Sequence, residues 1–438
     1  MTGRGLTSEW PWLLLGVSLP LLAVDFFRVP LLGGALRLPL PVVIVGWLTL
    51  MGVVGFLVCW RRPSGRISQN TVSLAFIMAC FWCWHLLGMA RAEHVEWATK
   101  DCIKLTVGLI CFWGLYAFAP LGKRSLATVW PVTLWVGAGL MLILIHRYAV
   151  VFKAPYLGIE FSEPTRANKN QLAWFMAALL PFAGAYYFHS RRWLWHALPL
   201  LVLVIAWLYT GSRGSWLCGA AGLIWTVGSR RSSRQRWLGR SLPVLGALVL
   251  LLVVGMAMFL PSFDLDSLDL IHRIQTLGDM EEMQAGYSGA ARMDMIDNAV
   301  DHFAASPLFG VGLTNSRITG GKLSHNDYLF MMSDLGLVGL LLFLGILWFL
   351  GRMLLGRRAT DWVSAGGQGA FISAISYLIF INAYTTSMFW IFLALCVLAS
   401  RPLANGLEID AGLPYPGLER PGVSRTPTIN PGDLEEQS

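Results

Sequence analysis

Residues 326–350 read NDYLFMMSDLGLVGLLLFLGILWFL, and no charged side chain occurs in this stretch after Asp334. A helix of about 20 predominantly apolar residues is long enough to cross the hydrocarbon core of a bilayer. Apolar runs of similar length recur from Trp12 to Leu398. Their repetition predicts an all-α, polytopic integral membrane protein with about twelve transmembrane helices.

The composition excludes an ordinary water-soluble domain. Hydrophobic residues make up 55% of the 438 residues and charged residues only 13%, whereas a soluble domain carries about 25% charged residues. So few charges do not cover the water-facing surface of a protein of this size. Composition and pattern therefore favour the same class.

The order of the apolar runs predicts a topology. With a cytoplasmic N-terminus, the loops on the cytoplasmic side are short and basic, as at Arg61 and Arg62 or at Arg357 and Arg358, in agreement with the positive-inside rule. An even number of spans also returns the C-terminus to the cytoplasm. The spans are placed near residues 11–27, 39–60, 71–90, 102–120, 128–149, 170–188, 193–210, 214–229, 242–260, 326–350, 366–383 and 386–400.

The domain organisation follows from these spans. Residues 1–400 are predicted to form a single transmembrane domain, and residues 401–438, which are polar and rich in Pro and Gly, a disordered cytoplasmic tail. Two loops on the opposite side are long, at about 147–169 and about 261–324. The second contains a stretch, 291–303, with the spacing of an amphipathic surface helix. Its predicted apolar stripe is Met293, Ile296, Val300 and Phe303.

Cations on the non-cytoplasmic side oppose the topology signal. Arg147 and Lys169 lie at predicted helix ends, where an anionic ligand would explain their presence. Arg273 and Arg317 lie in the longest loop, and long loops are translocated regardless of charge, so these two need no ligand. The spans carry no chain of ionisable residues across the membrane midplane, which favours chemistry at one face over proton-coupled transport.

The stretch Thr210-Gly-Ser-Arg-Gly-Ser215 lies between two predicted spans. Its two glycines permit a tight reversal, and Ser212 or Ser215 can cap the helix that follows. The N–H groups at the start of that helix, together with the charge of Arg213, form an anion site suited to phosphate. A helical hairpin with a snorkelling arginine explains the same residues without a ligand.

A histidine lies in Ser324-His-Asn-Asp327, which has the spacing of a capping box and precedes an apolar run. The pattern predicts His325 in the first turn of the tenth span, at the water boundary. The positive end of the helix dipole disfavours an imidazolium there, so a neutral His325 can act as a general base. The alternative is an interfacial histidine with only a packing role.

Two further groups of polar residues lie on the same side. Arg292, with Asp294 close by, leads the predicted surface helix and can clamp a phosphate oxygen or be a solvated charge. Arg166-Ala-Asn-Lys-Asn170-Gln171 precedes the sixth span and can hold sugar hydroxyls or phosphates, or form a polar cap. The sequence shows no P-loop and no metal-ligand motif. A substrate on this side must therefore bring its own activation, as a lipid-linked pyrophosphoryl sugar does.

These stretches resemble the O-antigen ligase and polymerase superfamily of membrane glycosyltransferases, and their order and sidedness over about residues 165–340 carry the resemblance. The resemblance implies a periplasmic active site in the bacterial inner membrane and a donor like an undecaprenyl-pyrophosphate-linked glycan. The acceptor is then a sugar hydroxyl of a lipid A–core, and no metal, nucleotide, other cofactor or nucleic acid is expected. The matching stretches are Asn168-Lys-Asn-Gln-Leu-Ala173, 210–215, Arg292 with Pro307-Leu-Phe-Gly-Val-Gly312, and His325-Asn-Asp-Tyr-Leu329 through Asp334-Leu-Gly336.

The resemblance also implies catalytic roles. Arg213 and Arg292 match the arginines that bind the pyrophosphate and stabilise its developing charge, and His325 matches the histidine that serves acceptor activation. The membrane lipids are the other expected partners. The substrate-binding candidates are Arg147, Arg166, Lys169, Asn170, Ser212, Asn326 and Tyr328.

Other activities remain open alongside the ligase. A Wzy-type polymerase uses the same donor, a protein O-oligosaccharyltransferase transfers glycan to Ser or Thr, and a lipid-linked sugar transporter belongs to a different class. The predicted twelve spans, the large loop between the ninth and tenth, and the outer cations that suit a phosphorylated acceptor favour the ligase. A transporter would show internal repeats and polar residues along a central path, and the sequence shows neither.

Overall fold

The computed structural model of the chain describes eleven ranges and one isolated residue. They are 10–22, 28–31, 36–39, 44–50, 53, 69–117, 123–151, 169–189, 193–229, 287–317, 325–356 and 358–400. The predicted ninth span, 242–260, and the predicted tail, 401–438, lie outside the described residues. The division into one domain and a tail stays a prediction.

The described secondary structure is α-helical apart from one ribbon and one π-helical turn, so the all-α class is confirmed. The ribbon is antiparallel and joins β1 (Arg28–Leu31) to β2 (Leu36–Pro39). The π-helical turn, His146–Val151, follows α4. The helices are α1 (Trp10–Leu22), α2 (Gln69–Met89), α3 (Val95–Ala117), α4 (Lys123–Ile145), α5 (Lys169–His189), α6 (Trp193–Tyr209), α7 (Arg213–Gly228), α8 (Tyr287–Ala305), α9 (Asp327–Leu355), α10 (Trp362–Tyr377) and α11 (Ser387–Ser400).

Several of these helices suit a membrane. Four described helices, Gln69–Met89, Leu126–Tyr148, Asn170–Phe188 and Asp327–Leu355, are long and apolar enough to cross one, and three shorter helices are also apolar. Phe76 on α2 is 71% exposed and Trp348 on α9 is 69% exposed. Such outward apolar surface suits contact with lipid. The helices indicate an integral membrane protein, while the count of twelve spans and the sidedness stay predictions.

The centre of the bundle is formed by α5 and α10. In α5, 89% of the most apolar window is buried, against 28% in α2 and 33% in α9. Helix α10 packs against α5, α7 and α11, and every residue of 362–371 is buried. Helix α10 is therefore enclosed by its neighbours over most of its length, and other elements are anchored to it.

The prediction of one span over 366–383 is wrong at its C-terminal end. Helix α10 ends at Tyr377, and residues 378–386 are not helical before α11 begins. The buried carboxylate of Asp327 accepts hydrogen bonds from the N–H groups of Ala383 at 2.7 Å and Tyr384 at 3.0 Å. Because another element binds these N–H groups, the apolar sequence there does not continue the helix.

Helix α9 is interrupted at Gly336, whose φ of 68° and ψ of −170° are essentially restricted to glycine. The segment Pro307–Gly312 lies against the interruption and satisfies the backbone groups that it releases. The sequence stretches 307–312 and 334–336 therefore form one unit, here called the 307–336 lock. Its backbone bonds, of 2.8 to 3.3 Å, join Val311 N to Ser333 O, Gly312 N to Asp334 O, Leu337 N to Pro307 O and Val338 N to Leu308 O.

The 307–336 lock is fastened to the end of α2. The Arg91 guanidinium donates to the carbonyls of Phe309 at 2.6 Å and Gly310 at 3.0 Å. Trp84 Nε1 donates at 2.9 Å to the carbonyl of Leu335, which the interruption of α9 also releases. Arg91 therefore has a structural role that needs no ligand.

The predicted amphipathic helix in the long loop is confirmed as α8, which packs against α9. Of its predicted apolar stripe, Ile296 and Phe303 are half-buried, and the side chain of Met293 lies outside the described structure. Met295 and Ala299 are buried, whereas Val300 is 46% exposed. The buried positions of α8 are therefore Met295 and Ala299, which lie one helical turn apart, and the prediction is wrong at Val300.

Candidate functional site

The turn between α6 and α7 has the predicted tight reversal, with Gly211 at a φ of 63°. Ser212 takes the N-cap position of α7 with an extended backbone, and half-buried Arg213 is the first residue of the helix. The hydroxyl of Ser212 makes no capping bond and instead lies 2.9 Å from the hydroxyl of Tyr377. The predicted cap position is confirmed, but the predicted capping bond is replaced by a contact with α10.

Two small residues let this turn lie close to its neighbours. A Cβ on Gly214 would lie 2.5 Å from Cγ of Phe380, so this glycine is required by packing instead of by the reversal. The buried Ser215 hydroxyl donates at 2.8 Å to the carbonyl of Ser212. The start of α7 therefore lies directly against the residues that follow α10.

The start of α9 differs from the predicted capping box. Asn326 is the N-cap, and its Oδ1 accepts from the N–H groups of Tyr328 at 3.0 Å and Leu329 at 3.1 Å. Ser324 lies outside the described residues. His325 therefore precedes the helix instead of lying in its first turn. It is half-buried and has a φ of 49°, a conformation uncommon for residues with a Cβ and enriched at functional sites.

The end of α10 joins three of the predicted stretches. The Tyr377 hydroxyl, besides contacting Ser212, donates at 3.5 Å to the carbonyl of Asn170 at the start of α5. The carbonyl of the next residue, Leu378, accepts at 2.8 Å from the N–H of Asp327. Adjacent Cα atoms are about 3.8 Å apart. The starts of α5, α7 and α9 are therefore neighbours, although the chain separates them widely.

Two further side chains fasten α9 to this anchor. The fully buried carboxylate of Asp327 binds the turn 378–386, in which the Asn382 amide donates to it at 3.2 Å. The Tyr328 hydroxyl donates at 2.9 Å to the carbonyl of Ile375 in the last turn of α10. Tyr328, a substrate-binding candidate, therefore uses its hydroxyl to hold two helices together.

A comparison with known families bears on this arrangement. Residues 198–344 match the family model Wzy_C, described as O-antigen ligase. These residues are here called the O-antigen ligase domain, after the family model that they match. The match runs from α6 into α9, so it includes Arg213, Arg292 and His325. No curated protein matches the chain. The resemblance seen in the sequence is thus confirmed at the level of the ligase and polymerase family.

The remaining candidates are only partly described. Half-buried Arg147 lies in the π-helical turn after α4. In the sequence it precedes residue 198, where the family match begins. Lys169 begins α5 and Arg292 lies in α8, and for both the side chain is outside the described structure. Arg166 lies outside the described residues. The meeting of Arg292 with Arg213 therefore stays a prediction. Among the described residues, no group of three or more His, Cys, Asp or Glu is placed to hold a metal ion.

A buried ion pair, not predicted from the sequence, attaches the O-antigen ligase domain to α3. Asp101, whose side chain is 2% exposed, pairs with Arg317 and lies 3.3 Å from Lys104. The Arg317 guanidinium also lies 5.4 Å from the centroid of the Phe330 ring in α9. The sequence predicts neither a ligand nor a protein partner for Arg317, and the structure pairs it with Asp101. The missed signal was an acid, Asp101, at the edge of the predicted span 102–120.

Replacement of Asp101 by Ala is expected to lower the free energy of unfolding by roughly 3 kcal/mol, because it leaves Arg317 without its partner. This is the lower end of the usual range, since the Arg317 side chain keeps 21% of its exposure. Glu96→Ala is the matched control on the same helix, because the Glu96–Lys100 pair is exposed and contributes little. Thermal unfolding of both variants in one detergent checks this, and equal losses would refute it.

Proposed function

We propose that the protein is an O-antigen ligase that transfers a polysaccharide from undecaprenyl pyrophosphate to a sugar hydroxyl of a lipid A–core acceptor, in lipopolysaccharide biosynthesis. One observation carries the proposal above the others. The starts of α7 and α9, which bear Arg213 and His325, are both bound to the end of α10. A permanent cation and a titratable imidazole at adjacent helix ends suit a reaction between two lipid-anchored substrates at a membrane surface.

The reaction divides between these two residues. The acceptor oxygen attacks the anomeric carbon of the donor, the bond from that carbon to the phosphate oxygen breaks, and undecaprenyl pyrophosphate leaves with the bonding electrons. Arg213, joined by the first N–H groups of α7, stabilises the negative charge that develops on the leaving group. Arg292 is proposed to add a second cation to the same group.

The acceptor proton is assigned to His325. Histidine is the side chain whose unperturbed charge change lies between pH 5 and 8, so it can take up the hydroxyl proton as the new bond forms. Asn326 and Asp327 hold the backbone beside it, since one caps α9 and the other binds the turn after α10. His325 is thus placed by two neighbours that are themselves fixed.

The site is proposed to face the periplasm of the inner membrane, with both chain termini in the cytoplasm. The described residues of several loops predicted on that side lie at one end of the bundle. Besides the bonds around α10, the N–H of Leu313 donates at 3.0 Å to the carbonyl of Gly88, which ties the segment before α9 to the end of α2. This co-location supports the predicted sidedness, and cysteine labelling from either side of intact cells tests it.

The decisive assay uses purified full-length protein in detergent, with a chelator present and nucleotide absent. It supplies an undecaprenyl-pyrophosphate-linked glycan and a lipid A–core, and we expect the joined product. A parallel reaction with donor alone tests the polymerase, which would lengthen the lipid-linked chain. Product only in the donor-alone reaction would replace the ligase by the polymerase, and translocation of the donor without either product would point to transport.

A further inference from the structure

Tyr384, in the turn 378–386, uses all three of its polar groups to bind three different helices. Its N–H donates at 3.0 Å to the carboxylate of Asp327 in α9, and its carbonyl accepts at 2.6 Å from Nε1 of Trp390 in α11. Its hydroxyl lies 3.2 Å from Nε2 of His85 in α2. Tyr384 is therefore a point at which α2, α9 and α11 are tied together.

The buried imidazole of His85 has a defined orientation. Its Nδ1 lies 3.0 Å from the carbonyl of Phe81, which can only accept a hydrogen bond. Nδ1 is therefore the donor, and in a neutral ring Nε2 is left to accept the hydrogen bond of the Tyr384 hydroxyl. The contact thus has one direction, from the tyrosine to the histidine.

The surroundings of this polar pair are aromatic. Three phenylalanine rings lie with their centroids 6.0 to 6.3 Å from that of Tyr384, namely those of Phe81, Phe330 and Phe343. Apolar groups of the same shape can be nearly as stable in such a place as a hydrogen-bonded pair. What the satisfied pair adds is one defined arrangement of the turn, since buried polar contacts specify a unique packing.

The backbone of His325 needs support of this kind. Its φ of 49° is sparsely populated, and such a conformation persists only where the surrounding structure holds it. The carboxylate of Asp327, two positions later, binds the turn 378–386 through Asn382, Ala383 and Tyr384. The Tyr384 hydroxyl brings α2 into this support.

We propose that His85 and Tyr384 are positioning residues for His325. The order of contacts runs from the His85 imidazole to the Tyr384 hydroxyl, and from the Tyr384 N–H to Asp327 at the start of α9. This inference rests on the proposed function, in which His325 takes the acceptor proton. Both positioning residues lie outside residues 198–344, so the base depends on parts of the chain that the family match does not include.

Two tyrosine variants separate positioning from general stability. Tyr384→Phe is expected to lower kcat for glycan transfer about ten-fold at an unchanged KM for the donor, since a misplacement of about 1 Å can cost about 100-fold. The matched control is Tyr116→Phe, which removes another buried hydroxyl, paired at 2.7 Å with Thr71 of the same helix α2. Thr71 lies roughly 20 Å from His85 along α2, at about 1.5 Å per residue. Both variants are expected to lower the melting temperature by similar amounts, and only Tyr384→Phe to lower kcat.

A second measurement does not depend on the activity. Diethyl pyrocarbonate modifies accessible imidazoles, and mass spectrometry of the full-length protein in lipid nanodiscs reports the rate of modification at His325. Half-buried His325 is expected to react about five-fold faster in Tyr384→Phe, the factor that corresponds to one buried hydrogen bond. The exposed His94 is the internal reference, and its rate is expected to stay the same.

Variants of His85 test the same order of contacts from its other end. The side-chain oxygen of a glutamine can accept the hydrogen bond of the Tyr384 hydroxyl, whereas a leucine cannot. His85→Gln is therefore expected to recover most of the kcat that His85→Leu loses. It is also expected to keep the wild-type dependence of the rate on pH, because His85 only accepts a hydrogen bond. This pair stays informative if Tyr384→Phe does not fold.

The proposal is overturned if Tyr384→Phe and Tyr116→Phe show the same kcat and the same modification rate at His325. It is also overturned if His85→Gln is as slow as His85→Leu, or if it shifts the pH profile, because His85 would then titrate in the reaction itself. A wild type that forms no product, while Tyr384→Phe exposes His325, would refute the ligase and leave the positioning standing. A wild type that transfers glycan, while neither kcat nor modification responds to Tyr384→Phe, would do the reverse.

Discussion

Replacement of His325 by Asn is expected to lower the turnover number for glycan transfer by about 100- to 10,000-fold, the usual contribution of a positioned general base. Asparagine is the suitable substitute because His325 has a φ of 49°, and Asn tolerates the left-handed region better than most residues. The KM for the donor is expected to change little, since Arg213 and the amides of α7 are the groups proposed to hold the pyrophosphate. Initial rates at saturating acceptor, measured between pH 5 and 9, check both parts.

The control for His325 is His94→Ala. His94 is an exposed histidine in the connection between α2 and α3, where its ring lies 4.8 Å from that of Trp97. Its loss is expected to leave the rate unchanged. A rate for His325→Asn within about three-fold of the wild type, with the same dependence on pH, would exclude the base role, because even weak general-base catalysis exceeds this factor.

The helices that could be predicted closely are those whose ends carry their own local signals. The sequence placed spans at 170–188, 193–210 and 214–229, and the structure has α5 at Lys169–His189, α6 at Trp193–Tyr209 and α7 at Arg213–Gly228. At each of these ends an apolar run meets glycine or a cation, so residues next to the boundary are sufficient to predict it. These signals predicted both helices that flank the motif 210–215.

The end of α10 could not be predicted in the same way. Residues 378–381 are apolar, so the sequence gives no local reason for the helix to stop. The reason is Asp327, whose carboxylate binds backbone N–H groups 56 and 57 positions later in the chain. Long-range contacts of this kind override local propensity, and no periodicity within the segment reports them.

The candidate site shows the same difference between local signals, which the sequence reveals, and long-range contacts, which it does not. Arg213 and His325 stood out because charged and titratable groups at the ends of apolar runs are unusual, and the structure brings their helix ends together. Tyr377 did not stand out, since a tyrosine inside an apolar helix usually belongs to the core. The Asp101–Arg317 pair was hidden because its partners are 216 positions apart. The sequence therefore pointed to the groups that are proposed to carry the chemistry, but not to the residues that hold them in place.

Replacement of Gly336 by Ala is expected to lower the free energy of unfolding by roughly 4 kcal/mol, from two additive causes. The φ of 68° with a ψ of −170° is strained for any residue with a Cβ, at a cost of about 1–3 kcal/mol. The added methyl group would also collide with backbone atoms of Gly310 and Leu308, and overpacking of this kind costs about 1–3 kcal/mol more. Backbone atoms of the 307–336 lock cannot move aside as a flexible side chain can.

The loss should extend beyond the glycine itself. The buried carboxylate of Asp334 accepts hydrogen bonds from the N–H groups of Thr314 at 2.6 Å and Ser316 at 3.2 Å, so opening the 307–336 lock also releases the segment that carries Arg317. The control is Gly139→Ala in α4, where an added Cβ meets nothing within 4 Å. Alanine favours a helix by up to about 1 kcal/mol over glycine, so this variant should match or exceed the wild-type melting temperature. Thermal unfolding in one detergent compares the two, and a Gly336→Ala protein as stable as Gly139→Ala would show that the 307–336 lock does not hold α9 in place.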